Sequence, residues 1–287
     1  MRNVNLSYGQ FMRDRVSEKK ILPLIGVYDA LSASLATKYY DAIFCSGYGF
    51  SASKYGLPDE GFIAWLDMIS YVENLRFILP DTHIIVDIDD GYADIKLAQT
   101  VVKRLENVGA SAVILEDQRR PKKCGHLPGK EVLETHEYLE KLHAVLNVRK
   151  ELFVIARTDA TTLDEGIKRV NAYAKAGADA VMVEGLDGHD AIEKVRKGIP
   201  KDTALTVNLI SGGKTGPISL CELEQNGVNL VVYSTPCLFA AHKAIDNAMK
   251  KLVDNDGRLE GEEFGVNLKE SNGVLSSNLL RGIDLFN

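Results

Sequence analysis

Asp87 and Asp89 stand two residues apart in the run Ile84-Ile85-Val86-Asp87-Ile88-Asp89-Asp90-Gly91-Tyr92. Side chains of an extended chain alternate between faces, so these two carboxylates are expected to point the same way. Held side by side they repel each other unless a cation or a proton sits between them. Glu116 closes the next apolar run and would join them. Three hard oxygen ligands, with room left for water and substrate, suit Mg2+ or Mn2+. The alternative is a set of turn caps, because Asp and Gly are common in turns. Glu116 at the end of the following run favours the metal.

A second cluster is Lys122-Lys123-Cys124-Gly125-His126. A thiol beside two lysines and a histidine sits in a positive field, which makes it a competent acid–base group. Otherwise the segment is a basic surface loop with an incidental cysteine. Arg157, in Ile155-Ala156-Arg157-Thr158-Asp159, can grip a carboxylate through two parallel hydrogen bonds. It can also pair with Glu116 or Glu184, and both roles can hold together. Asn208 offers amide donors ahead of Ser211-Gly212-Gly213-Lys214-Thr215, a string that lacks the G-x-x-x-x-G-K-[ST] spacing of a phosphate loop.

Such groups need a scaffold that brings them together. Eight short apolar runs alternate with amphipathic segments: Ile21–Gly26, Ala42–Ser46, His83–Asp87, Ala112–Glu116, Leu152–Ala156, Ala180–Glu184, Ala204–Asn208 and Leu230–Ser234. They read as strands buried on both faces, the pattern of a parallel sheet. Between them, Ile95–Val108 and Leu163–Ala176 read as helices stopped by Gly109 and Gly177. Eight strand–helix units predict an α/β (β/α)8 TIM barrel over residues 1–254, whose active site is built at the C-terminal ends of the strands. Those ends carry Tyr28 and Asp29, Ser46 and Gly47, Asp87 and Asp89, Glu116, Arg157, Glu184, Asn208, and Tyr233 with Ser234. A buried strand has no structural reason to finish in a carboxylate, whereas a site for a metal and an anion does. The segments Gly47–Pro58 and Asp117–Lys130 are too long for simple connections and are expected to serve the site. Residues 255–287 read as a C-terminal tail or helical extension that packs on a neighbouring subunit.

The 287 residues are 45% hydrophobic and 26% charged, an ordinary globular composition. A net charge of −6 without a basic stretch argues against a nucleic-acid partner. No apolar run approaches the roughly 18 residues of a membrane span, and the N-terminus lacks a signal-peptide core. Cysteines 45, 124, 221 and 237 form no CxxC pair, which fits a reducing, cytoplasmic setting better than a disulfide framework.

At this point the chain resembles the isocitrate lyase / phosphoenolpyruvate mutase superfamily over roughly residues 8 to 250. The motifs that carry the resemblance are Tyr28-Asp29-Ala30-Leu31-Ser32-Ala33, Ser46-Gly47, Gly56-Leu57-Pro58-Asp59, Val86 to Tyr92, Leu115-Glu116-Asp117-Gln118, Lys122 to His126, Ala156-Arg157-Thr158-Asp159-Ala160, and Asn208 with Gly212 to Thr215. The resemblance implies a barrel whose eighth helix swaps between partners in a homodimer or homotetramer. It implies Mg2+ held by Asp87, Asp89 and Glu116, largely through water. Ser46, Gly47, Asp87 and Arg157 would hold the 2-oxo-carboxylate end of a small oxo- or hydroxy-acid substrate, with Tyr28, Gly125, Glu184 and Asn208 around it. In the lyases the cysteine of the K-[KR]-C-G-H loop protonates the carbon of the departing enolate, so Cys124, with Lys122, His126, Asp59 and Arg157, forms the expected catalytic set.

The Cys124 loop favours the methylisocitrate lyase-like and dimethylmalate lyase-like branch, which carboxyphosphonoenolpyruvate mutases resemble closely, Asp59 included. The first expectation is a carbon–carbon lyase that releases a 2-oxo acid such as pyruvate. The alternatives are a phosphonomutase or hydrolase acting at a C–P bond, and an oxaloacetate hydrolase or decarboxylase. Ser211 replaces the Glu usual in the lyases, the Tyr48–Pro58 loop is one residue longer, and Ala93 replaces a usual Gly. Ser211 and Tyr48 are expected to line the distal pocket.

Overall fold

The eight apolar runs become eight parallel strands in a computed structural model that describes residues 7–18, 20–125, 129–259 and 265–284. They are β1 (Leu22–Val27), β2 (Ala42–Cys45), β3 (His83–Asp87), β4 (Ala112–Glu116), β5 (Phe153–Thr158), β6 (Ala180–Val183), β7 (Ala204–Leu209) and β8 (Leu230–Tyr233). Each pairs with its neighbour in chain order, and β8 returns to β1 to close the barrel. Helix α1 (Tyr8–Ser17) precedes β1 and sends Met12 into the interior cluster. Helices α2 (Ala30–Ala36), α3 (Gly47–Phe50), α4 (Trp65–Ile78), α5 (Ile95–Asn107), α6 (Thr135–Val148), α7 (Leu163–Lys175), α8 (Gly188–Gly198), α9 (Leu220–Gln225), α10 (Pro236–Asp254) and α11 (Leu268–Asp284) follow. No helix of the described residues is long and apolar enough to cross a membrane.

Period-two alternation sorts the core into two layers. One face of each strand packs on the helices, as with Ile84, Val86, Val113 and Val154. The other fills the barrel: Leu24, Phe44, Ile85, Ile114, Ile155, Met182 and Val232. Continuing each inward row by one more step reaches Ser46, Asp87, Glu116, Arg157, Glu184, Asn208 and Ser234. The same alternation that packs the interior therefore aims these polar groups at one point.

The long segment 47–58 is helical over its first nine residues: α3 runs into a π-helical turn at Ser51–Tyr55, ended by Gly56 at φ 65°. Asp89 does not continue the extended strand, because β3 stops at Asp87 and Asp89 adopts φ 49°. Residues beyond Asp254 include a formed helix, α11, and it lies against α4 and α2 of the same chain. Asn278 Nδ2 donates to Ser34 Oγ at 2.8 Å there. By contrast α10 buries none of its residues and exposes Ile245, Met249 and Val253.

Candidate active site

At the C-terminal mouth of the barrel lies a narrow cleft. Its polar lining is Ser46, Tyr48, Asp59, Asp87, Cys124, Gly125, Arg157, Glu184, Asn208 and Ser234, and its apolar lining is Phe44, Ile114, Met182, Ile210 and Val232. Ten residues singled out from the sequence meet here, from six strand ends and two loops. Glu116, Asp89 and Lys122 stand behind this surface, all buried. Gly47 packs against Asp87, and Tyr28 lies half-buried beside Gly49. Ser211 is exposed and lines a neighbouring groove with Gly212, Gly213 and Phe239 rather than this cleft. His126 lies outside the described residues.

Asp87 and Asp89 converge by a route different from simple alternation. The Asp89 N–H donates to Asp87 Oδ1 at 3.2 Å, and the Gly47 N–H donates to Asp87 Oδ2 at 3.3 Å. Glycine at position 47 lets the backbone approach the carboxylate closely, since a Cβ there would sit 2.9 Å from Asp87 Oδ2. Asp89 carbonyl accepts from the Glu116 N–H at 2.9 Å, which sets Glu116 level with Asp89. Lys122, on the Cys124 loop, donates to Asp59 at 2.8 Å and also to Asp89. Burial pushes the Asp87 carboxyl up to about 6, against the pull of Lys122. Burial likewise pushes Glu116 well above the usual carboxylate range, against the pull of Arg157.

Arg157 and Glu116 are cross-strand partners in the β4–β5 pair. The guanidinium donates twice to Asp159, with Glu116 at 3.3 Å and Glu184 at 3.5 Å. Asn208 Nδ2 donates to Glu184 Oε1 at 3.0 Å, and the Ser234 hydroxyl donates to Asn208 Oδ1 at 2.6 Å. Asp159 and Ile210 were not singled out by the sequence reading. Ser234 was, as the polar end of the inward row of β8.

Neither oxygen of Glu116 accepts a hydrogen bond, although both are buried. Its ion pair with Arg157 at 3.3 Å leaves both oxygens without a hydrogen bond, which is costly for a buried carboxylate. Around the cleft Asp59, Asp87, Asp89, Glu116, Asp159 and Glu184 face Arg157, Lys122 and Lys130. This surplus of hard anionic oxygen fits a divalent cation. Among the described residues no three such groups converge closely enough to hold an ion by themselves, so water would complete its shell.

Residues 12–253 match the family model described as phosphoenolpyruvate phosphomutase. The chain belongs to that family. It is 31% identical to the 2,3-dimethylmalate lyase of Eubacterium barkeri over 95% of this chain and 96% of the relative. It is 34% identical to the 2-methylisocitrate lyase of Bacillus subtilis, covering 88% of this chain and 84% of the relative. A crystal structure of 2,3-dimethylmalate lyase superposes with a TM-score of 0.90 at 28% identity, over 98% of this chain and 95% of that one. The superfamily and barrel read from the motifs are borne out, and this member of the phosphomutase family is an enzyme.

Proposed function

We propose that the protein is a carbon–carbon lyase that cleaves a small 2-hydroxy di- or tricarboxylate, of the 2,3-dimethylmalate or 2-methylisocitrate type, to a 2-oxo acid such as pyruvate. The observation that carries this reading is that Cys124 lines the same cleft as Arg157, Asp87 and Glu184. In this reading a thiol that delivers a proton shares one cleft with an arginine that holds the substrate's anion.

In the cleavage the 2-hydroxyl gives up its proton, to Asp59 in this reading, and its oxygen becomes the carbonyl of the 2-oxo acid. The C2–C3 bond breaks and its electron pair stays on C3, delocalised into the neighbouring carboxylate as an enolate. Cys124 delivers a proton to C3, and the second acid leaves. Arg157 holds the carboxylate of the 2-oxo acid half, while Phe44, Ile114 and Met182 keep water from the carbanion. A Mg2+ or Mn2+ ion held by Asp87, Asp89 and Glu116 would supply Lewis-acid stabilisation to the oxygen at C2.

We further assign the protein to the cytoplasm as a homodimer or homotetramer, with α10 as the element swapped between subunits. The exposed Ile245, Met249 and Val253 on a helix without buried residues support that assembly.

The test is incubation with Mg2+ and a panel of 2-hydroxy di- and tricarboxylates, reading 2-oxo acid release with a coupled lactate dehydrogenase. Cys124→Ser is expected to lower kcat about 10²-fold or more. Full activity in that variant would remove Cys124 from the proton transfer. Turnover of phosphonopyruvate in phosphorus NMR, with no lyase activity, would replace the reading by a C–P one.

A further inference from the structure

We infer that Lys130 is a positioning residue that pins the Cys124 loop onto the Arg157–Asp159 pair, an inference that rests on the lyase reading above. The Lys130 side chain is only 8% exposed. Its ammonium donates to the Gly125 carbonyl, next to Cys124, and to Asp159 Oδ1 at 3.0 Å. That same oxygen accepts from Arg157 Nη2 at 3.0 Å. One carboxylate oxygen therefore ties the anion-holding arginine to the residue that holds the cysteine loop.

The geometry between them is tight. A Cβ built on Gly125 would lie 2.3 Å from Arg157 Nη2 and 2.6 Å from Glu184 Cγ, so the loop backbone rests directly on the guanidinium. On the other side of Cys124 the loop is held by Gln118, whose amide brackets Lys123: its Nε2 donates to the Lys123 carbonyl at 2.9 Å, and its Oε1 accepts the Lys123 N–H at 3.0 Å. Gln118 fixes the backbone before the cysteine and Lys130 fixes the backbone after it. Gln118 is anchored by neutral bonds to its own loop. Lys130 refers the loop to Asp159 and so to Arg157.

A proton donor misplaced by about 1 Å can cost on the order of 10²-fold in rate, and Lys130 sets that placement without touching substrate. Lys130→Met keeps the packing of the aliphatic stem and removes both donors. Its kcat is expected to fall about 10²-fold, while KM and the dissociation constant of oxalate, a planar mimic of the 2-oxo acid half, stay within about threefold. Lys130→Arg retains donors for both acceptors and is expected to recover much of that loss. Hydrogen–deuterium exchange is expected to rise in residues 117–125 of the Met variant and to stay unchanged in the barrel strands.

A kcat within about twofold of wild type, with unchanged exchange at 117–125, would overturn the assignment. So would equal weakening of kcat and oxalate binding with exchange rising across the barrel, which marks a merely structural lysine. Should the wild-type protein release no 2-oxo acid from any substrate, the lyase reading fails on that result alone. The exchange comparison would then still decide whether Lys130 pins the loop.

Discussion

Arg157 and Asp159 form a two-pronged pair, Nε to Oδ2 at 2.9 Å and Nη2 to Oδ1 at 3.0 Å, two residues apart on and just beyond β5. The pair aligns the guanidinium plane before any substrate arrives, and its cost is met in folding rather than in binding. Asp159 itself is fixed from behind, because its N–H donates to Asp117 Oδ1 at 2.9 Å. Asp117 also accepts from Thr158, Arg169 and Tyr173, and all of these bonds are buried or nearly so.

Asp159→Asn should therefore damage catalysis more than folding. An amide offers one acceptor oxygen where the carboxylate offers two, and it cannot balance Arg157 and Lys130 together. The expected loss in kcat/KM is about 10²-fold, against a stability loss of about 1–3 kcal/mol. Steady-state kinetics beside a thermal melt would separate the two. A variant that melts early but turns over normally would assign the pair to folding alone.

Glu116→Gln should act in opposite directions on the free and the loaded protein. Burial keeps Glu116 well above the normal carboxylate range, and neither oxygen finds a hydrogen-bond donor. An uncharged amide of the same shape relieves that cost, so without added metal the variant should melt at or above the wild-type temperature. The rise in melting temperature that Mg2+ gives wild type, which grows with affinity, should be largely lost. An undiminished Mg2+-dependent rise would show that Glu116 holds no part of the ion's shell.

Gly125→Ala tests the fit between loop and arginine. The added methyl would overlap Arg157 Nη2 and Glu184 Cγ, and neither can retreat without breaking bonds to Asp159 or Asn208. The loop must lift instead, and turnover should drop by at least about 10²-fold while the barrel melts within a few degrees of wild type. Calorimetry with oxalate would check that the arginine still binds its anion. Unaltered kinetics would mean that the loop already stands away from Arg157 during turnover.

The barrel and the ring of strand-end groups were legible because inward alternation leaves a polar residue no other reason to follow Ile85, Ile114 or Ile155. The turn at Asp89 was not legible. Its φ of 49° is set by contacts with Glu116 and Lys122, which lie about 30 residues away in the chain. Asp159 and Lys130 look like ordinary loop charges until the fold brings them within 3.0 Å of each other. Helix α11 was legible only as one alternative, a tail or a helical extension, for a different reason. Gly273 and Gly282 weaken its intrinsic propensity, and tertiary packing supplies what the local sequence lacks: Phe77 fits against Gly282, where a Cβ would fall 2.4 Å from its ring.

His83, at the opposite end of β3 from the site, should make the fold sensitive to acid. Its ring stacks on Phe11 with centroids 4.1 Å apart, and its Nδ1 is buried without a hydrogen-bond partner. Burial, helped by the nearby charges of Arg15 and Arg76, lowers its pKa from 6.5 to about 4. The folded protein thus keeps His83 neutral down to about pH 4, while the unfolded chain takes up a proton near pH 6.5. Between those values the unfolded state binds the extra proton, so this residue's contribution to stability falls as the pH drops and levels off below about 4. From pH 7 to pH 5 the loss comes to about 2 kcal/mol. His83→Phe keeps a ring against Phe11 and removes the titration, so denaturant unfolding at the two pH values should show a stability difference smaller by about that amount. Equal differences in the two proteins would mean that His83 is protonated in the native state without penalty.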